Sequence, residues 1–149
     1  MNYTELNFEE HIEVQLLESG YIKVEPKLYD KSLCLIPSQL IEFIQETQPK
    51  QYKKLTEQYG DDTNNKLTKR ISEQIESKGV IEVLRKGVKD RGNTFKLVYF
   101  KPKSGLNKEH QDLYKKNRFI ELRQLKYSKK NENSIDMGIF INGIPVMML

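Results

Sequence analysis

Ile135-Asp136-Met137-Gly138-Ile139-Phe140-Ile141-Asn142-Gly143-Ile144-Pro145-Val146-Met147-Met148-Leu149 closes the chain, and its reading decides the fold. Two apolar runs, 135–141 and 144–149, meet at Asn142-Gly143. Asn-Gly between apolar runs signals a β-hairpin, because both central positions of the favoured turn need φ > 0. Asp is a poor strand former, so Asp136 runs against its local pattern. Two readings of it stand. A carboxylate at a strand edge can hold Mg2+, which takes one or two carboxylates plus water and substrate phosphate. An Asp in the turn before the strand makes an Asx-type bond instead. The last run has no polar stop, cap or turn, so the chain is expected to be a fragment.

Upstream of the hairpin, Phe119 to Tyr127 reads as a strand alternating from Ile120. Ile120, Leu122, Gln124 and Lys126 share one face; Glu121, Arg123, Leu125 and Tyr127 share the other. Lys129 to Ser134 is a polar turn between this strand and the hairpin. Thr94 to Phe100 is rich in β-formers and predicts a further strand ending at Pro102. Leu106 to Lys116 predicts a short helix. The middle of the chain is helical. Pro37 and Pro49 suit helix starts, Leu67, Ile71 and Ile75 recur every four residues to Gly79, and Val80 to Leu84 adds a short piece. At the N-terminus Asn7 and Glu10 read as a capping pair, Phe8, Ile12 and Leu16 as an apolar stripe, and Gly20 as a stop. Tyr21 to Val24 then reads as a short strand or an extended exit, halted by Pro26. The expectation is one α+β domain over 1–149: an N-terminal helix, a helical insertion over about 38–87, and a mostly antiparallel sheet over about 94–149.

The 149 residues are 37% hydrophobic, enough for one modest core, and no stretch approaches the roughly 20 apolar residues of a membrane helix. One cysteine, Cys34, excludes an internal disulfide and a cysteine-rich zinc site. With Met1-Asn2-Tyr3-Thr4-Glu5 lacking the marks of a signal peptide, a cytoplasmic setting is expected. The net charge of +4 is unevenly spread: residues 101–130 carry +7. That is the footprint of phosphate contact, with Lys115, Lys116, Arg118, Arg123 and Lys126 as candidates, or else a solvated helix face and a lysine-rich turn. His11 and His110 have no partner at ligand spacing. Cys34, between Leu33 and Leu35, reads as a buried small hydrophobe. Gly87 and Gly92 flank Lys89 and Arg91 without the ending of a phosphate loop, and mark a mobile turn.

Asp136 to Leu149 resembles the nuclease core of the R (HsdR) subunit of type I restriction-modification enzymes. In that family an Asp opens a hairpin, Asn-Gly-Ile/Leu-Pro makes the turn, and the next strand ends in Glu-x-Lys, the PD-(D/E)xK signature. Asn117 to Gln124 resembles the preceding strand, and Glu9 through Gly20-Tyr21 the first helix. The resemblance covers both ends of the chain well and the helical middle loosely. It implies a restriction-endonuclease-like core with Asp136 and Glu9 (Glu10 competing) as metal-binding carboxylates and Gln124 lining the same cleft. It further implies Mg2+, double-stranded DNA, methyltransferase and specificity subunits as partners, and ATP use confined to downstream domains absent here. No Glu-x-Lys follows the hairpin within the 149 residues, so this chain is expected to be inactive alone. The competing class is a non-catalytic module that binds DNA or docks onto the other subunits through residues 101–130.

Overall fold

Prolines and glycines partition the chain much as their backbone chemistry dictates. Residues 3–126 and 134–148 are described by the structure, a computed structural model, with side chains described for residues 8–123 and 137–148. Helix α1 (Tyr3–Glu18) ends in a Schellman-type closure, with Gly20 at φ +93° and the Tyr21 N–H donating to Leu16 O. A short strand β1 (Ile22–Lys23) follows. Pro37 opens α2 (Pro37–Thr47) and Pro49 opens α3 (Pro49–Tyr59), each at a position whose N–H has no intrahelical partner to lose. Next come α4 (Thr63–Lys78) and α5 (Val80–Lys86), then a small hairpin of β2 (Val88–Asp90) and β3 (Asn93–Phe95). Asn107 caps α6 (Lys108–Lys115) by accepting the His110 N–H. Three strands complete the fold: β4 (Phe119–Lys126), β5 (Ser134–Ile141) and β6 (Ile144–Met148).

The main sheet has the order β1-β4-β5-β6. β1 runs parallel to β4, and the other two pairings are antiparallel, with Phe119 opposite Ile141 and Arg123 opposite Met137. The α+β expectation and the mostly antiparallel sheet therefore hold. One side of the sheet buries Ile120, Leu122 and Phe140 against Val24 and Ile36. The larger apolar core lies inside the helical insertion, where Phe43, Leu55, Leu67, Ile71, Phe95 and Leu97 meet, and Ile144 of β6 reaches into it. Among the described residues no helix is long and apolar enough to cross a membrane.

Four local expectations change. The Thr94–Phe100 strand shrinks to β3, because side-chain amides take the place of a neighbouring strand. Gln48 accepts the Lys96 N–H at 2.7 Å and donates to Lys96 O at 2.8 Å, and Asn117 does the same for Tyr99 at 3.1 and 2.6 Å. Asn7 lies inside α1, which already begins at Tyr3, and so does not cap it. Cys34 is exposed, not buried: it sits at φ +57° in a tight turn that Asp30 closes by accepting the Ser32 and Leu33 N–H groups. Gly87 and Gly92 do not share one turn: Gly87 ends α5 and Gly92 sits between β2 and β3. Tyr127 and most of the 129–134 turn lie outside the described residues.

Candidate functional site

The hairpin that carries Asp136 is anchored at its turn. Asn142 and Gly143 take φ +52° and +86°, as an Asn-Gly hairpin turn requires. Yet the turn is buried, which an ordinary hairpin tip is not. The Asn142 side chain is fully enclosed; its Nδ2 donates to Leu97 O at 2.9 Å and to Asn117 Oδ1 at 3.1 Å. Its Oδ1 accepts the Arg118 N–H at 2.6 Å, and its own N–H donates to Arg118 O at 2.8 Å. Gly143 O accepts the Ile36 N–H, and a Cβ on Gly143 would meet Ile36 O at 2.6 Å and Leu40 N at 2.9 Å. This turn thus joins the sheet to the helical insertion. Asp136 stands in β5 and Gln124 in β4, at the register position between the pairs Arg123–Met137 and Leu125–Ile135. The side chains of Gln124, Lys126 and Asp136 lie outside the described residues.

Helix α1 meets the sheet through carboxylates. Glu9 and Glu13 are buried at 7% and 9% exposure, while Phe8 is 65% exposed. The inward stripe is Glu9 and Glu13, buried, with Ile12 and Leu16 half-buried, and Phe8 stands outside it. The reason lies on β4, whose α1-facing side presents Arg123. Arg123 Nη2 is 3.1 Å from Glu9 Oε2, and Arg123 Nε is 3.6 Å from Glu13 Oε2. Lys23 of β1 holds Glu13 Oε1 at 3.1 Å. A buried guanidinium needs buried carboxylates, so hydropathy loses to charge in setting the helix face.

Glu121, two residues before Arg123, is fully buried beside Glu13, and among the described residues neither of its oxygens meets a donor group. Burial first, then the negative charge of Glu13, push its carboxyl up to about 7 against the partial relief of Lys23 and Arg123. Burial raises Glu13 as well, but Lys23, the protonated Glu121 and Arg123 outweigh it and hold Glu13 below the ordinary range. The sign for stability follows. A carboxyl raised in the folded state contributes stability that is full below the unfolded value of 4.5 and is lost as pH climbs through about 7. The loss is at most on the order of 3 kcal/mol. Thermal melts should show stability falling between pH 5 and 8, and Glu121→Gln should flatten that fall. A wild-type stability that rises over the same interval would contradict this.

Of the five cations singled out from the basic segment, the structure separates three kinds. Lys115 and Lys116 are exposed and form no ion pair among the described residues. Arg118 is spent on α2, 2.7 Å from Glu42 and 3.1 Å from Glu46, with Gln39 accepting a further bond. Arg123 is spent on α1. The Lys126 side chain lies outside the described residues. His11 is exposed and lies 3.2 Å from the Gln15 amide, far from any ligand set. Sequence reasoning missed Glu13, Glu121 and Lys23. A signal was present: Glu121 interrupts an apolar strand as Asp136 does, and Glu13 repeats Glu9 one helical turn on.

Carboxylate oxygens are the donors Mg2+ takes, so the chemistry of Glu9 and Asp136 suits that ion. Among the described residues no group of three or more His, Cys, Asp or Glu is placed to hold a metal, and the Glu9 carboxylate is engaged by Arg123. Among known protein families, the one described as type I restriction enzyme R protein N terminus matches the chain over residues 2–149. No curated protein and no solved structure matches the chain.

Proposed function

The chain belongs to the family of type I restriction enzyme R protein N termini, and on that premise we propose that it is the endonuclease region of an R subunit. The observation that carries the reading is the buried Asn142-Gly143 turn, which fixes the strand bearing Asp136 to the rest of the fold. In this reading Asp136 holds Mg2+, and Gln124, at the facing register position on β4, lines the same cleft. Glu9 packs with α1 against the Arg123 side of β4, the side away from the Gln124 position, and so stands outside it. When bound, the ion supplies polarisation of the scissile phosphate and a more acidic attacking water. Lys115 and Lys116 attract the phosphate backbone. The parent subunit cleaves unmodified double-stranded DNA in the cytoplasm, in complex with methyltransferase and specificity subunits, and downstream domains spend ATP. A second reading, a non-catalytic module for DNA binding or subunit docking, draws support from the hold of Arg123 on Glu9.

The PD-(D/E)xK site needs a second carboxylate and a lysine, and no Glu-x-Lys follows β6 within the 149 residues. With Mg2+ and supercoiled plasmid, the chain is therefore expected to bind the plasmid without nicking it above an Asp136→Ala control. Nicking that disappears on Asp136→Ala would overturn the half-site account. Failure to bind duplex DNA at low salt would remove the nuclease and DNA-binding readings and leave subunit docking.

A further inference from the structure

Away from the Asp136 strand, the helical insertion and the β2–β3 hairpin bring four exposed cations together: Lys66 and Arg70 on α4, Lys89 on β2 and Arg91 at the hairpin tip. They are contiguous. Lys66 Nζ lies 4.8 Å and the Arg91 guanidinium 5.0 Å from the centre of the same Tyr59 ring. Arg91 Nε donates to Tyr59 Oη at 3.4 Å, and Arg70 Nε donates to Lys89 O at 3.2 Å. None of the four forms an ion pair among the described residues. The carboxylate at the cluster, Asp90, is buried at 6% exposure, and its Oδ1 accepts the Tyr59 hydroxyl at 2.7 Å.

Such an arrangement holds like charges close together without neutralising them at the surface. Cation–π contacts and backbone bonds fix the heads of Lys66, Arg70 and Arg91, so little side-chain freedom is left to lose on meeting an anion. The ring that could stack a base is covered by cations, which disfavours a single strand read through its bases. What remains is a charged surface from two elements, suited to a repeating anion. We propose that α4 and the β2–β3 hairpin form a contact surface for the phosphate backbone of duplex DNA, separate from Lys115 and Lys116. The proposal rests on the DNA-binding reading above. The surface was hidden in the sequence because residues 1–100 carry a net −1, and the four cations are drawn from two stretches separated by nearly twenty positions.

The test is fluorescence anisotropy of a short labelled duplex against salt, using the whole chain. Each phosphate contact contributes about 0.9 to the slope of log K against log salt. The variant carrying Lys66→Gln, Arg70→Gln, Lys89→Gln and Arg91→Gln should lower that slope by about 3 to 4. Lys66→Gln with Lys89→Gln, whose side chains make no hydrogen bond among the described residues, should lower it by about 2 without disturbing the fold. Unchanged slopes in both variants, with loss on Lys115→Gln and Lys116→Gln, would overturn this surface and leave DNA binding intact. No duplex binding by the wild-type chain would overturn both. Displacement of the duplex by polyglutamate at equal charge would show an acidic peptide site instead and likewise overturn the proposal.

Discussion

Asn142→Ala is expected to cost about 3 to 5 kcal/mol of folding stability, a large share of what a domain of this size holds. The truncation removes three side-chain hydrogen bonds at a fully buried position. It also strands Leu97 O and the Arg118 N–H away from water, and each buried unsatisfied group costs about 1 to 3 kcal/mol. Gly143→Ala should be as damaging for a different reason. Its Cβ would sit 2.6 Å from Ile36 O and 2.9 Å from Leu40 N, both backbone atoms that cannot swing aside. Urea unfolding of the two variants measures these losses. A cost below about 1 kcal/mol for both would mean that the turn is not the joint between sheet and insertion.

Arg123→Met is expected to destabilise the chain by about 3 to 5 kcal/mol near pH 8, because it leaves Glu9 and Glu13 buried without their shared cation. Removing one member of a buried ion cluster costs far more than removing the cluster whole. Adding Glu9→Gln and Glu13→Gln to Arg123→Met should therefore restore most of the loss. The coupling has to appear as non-additivity, since the three side chains share one network. A single-variant cost under about 1 kcal/mol, or three strictly additive costs, would show that Arg123 is not what holds α1 to the sheet.

These two results concern features of unequal visibility in the sequence. The hairpin was legible because Asn142-Gly143 and its flanking apolar runs are a local signal, and the backbone delivers both positive φ values. Its burial was not legible, since the partners Ile36, Leu97 and the adjacent Asn117 and Arg118 come from three separate places. The helices of the insertion were legible for the same reason as the hairpin: proline starts, glycine stops and four-residue apolar spacing are local. Residues 96–100 misled because β-forming composition does not say whether a strand partner exists, and here Gln48 and Asn117 stand in for one. The face of α1 misled because hydropathy ranks Phe8 above Glu9, while Arg123 on the opposing strand reverses that order. Asp136 was picked out by its conflict with the strand around it. Glu121 carries the same conflict, and its partner Glu13 lies on the helix one turn beyond Glu9.

The central claim is that Asp136 serves a divalent-cation site on β5. Backbone amide NMR of the 149-residue chain with substoichiometric Mn2+ tests it without requiring catalysis. Paramagnetic broadening is expected at the amides of Ile135, Asp136 and Met137 on β5 and of Gln124 at the facing position on β4, and Asp136→Ala should abolish both sets together. Broadening that is confined to exposed acidic residues elsewhere, or that survives Asp136→Ala unchanged, would contradict the claim.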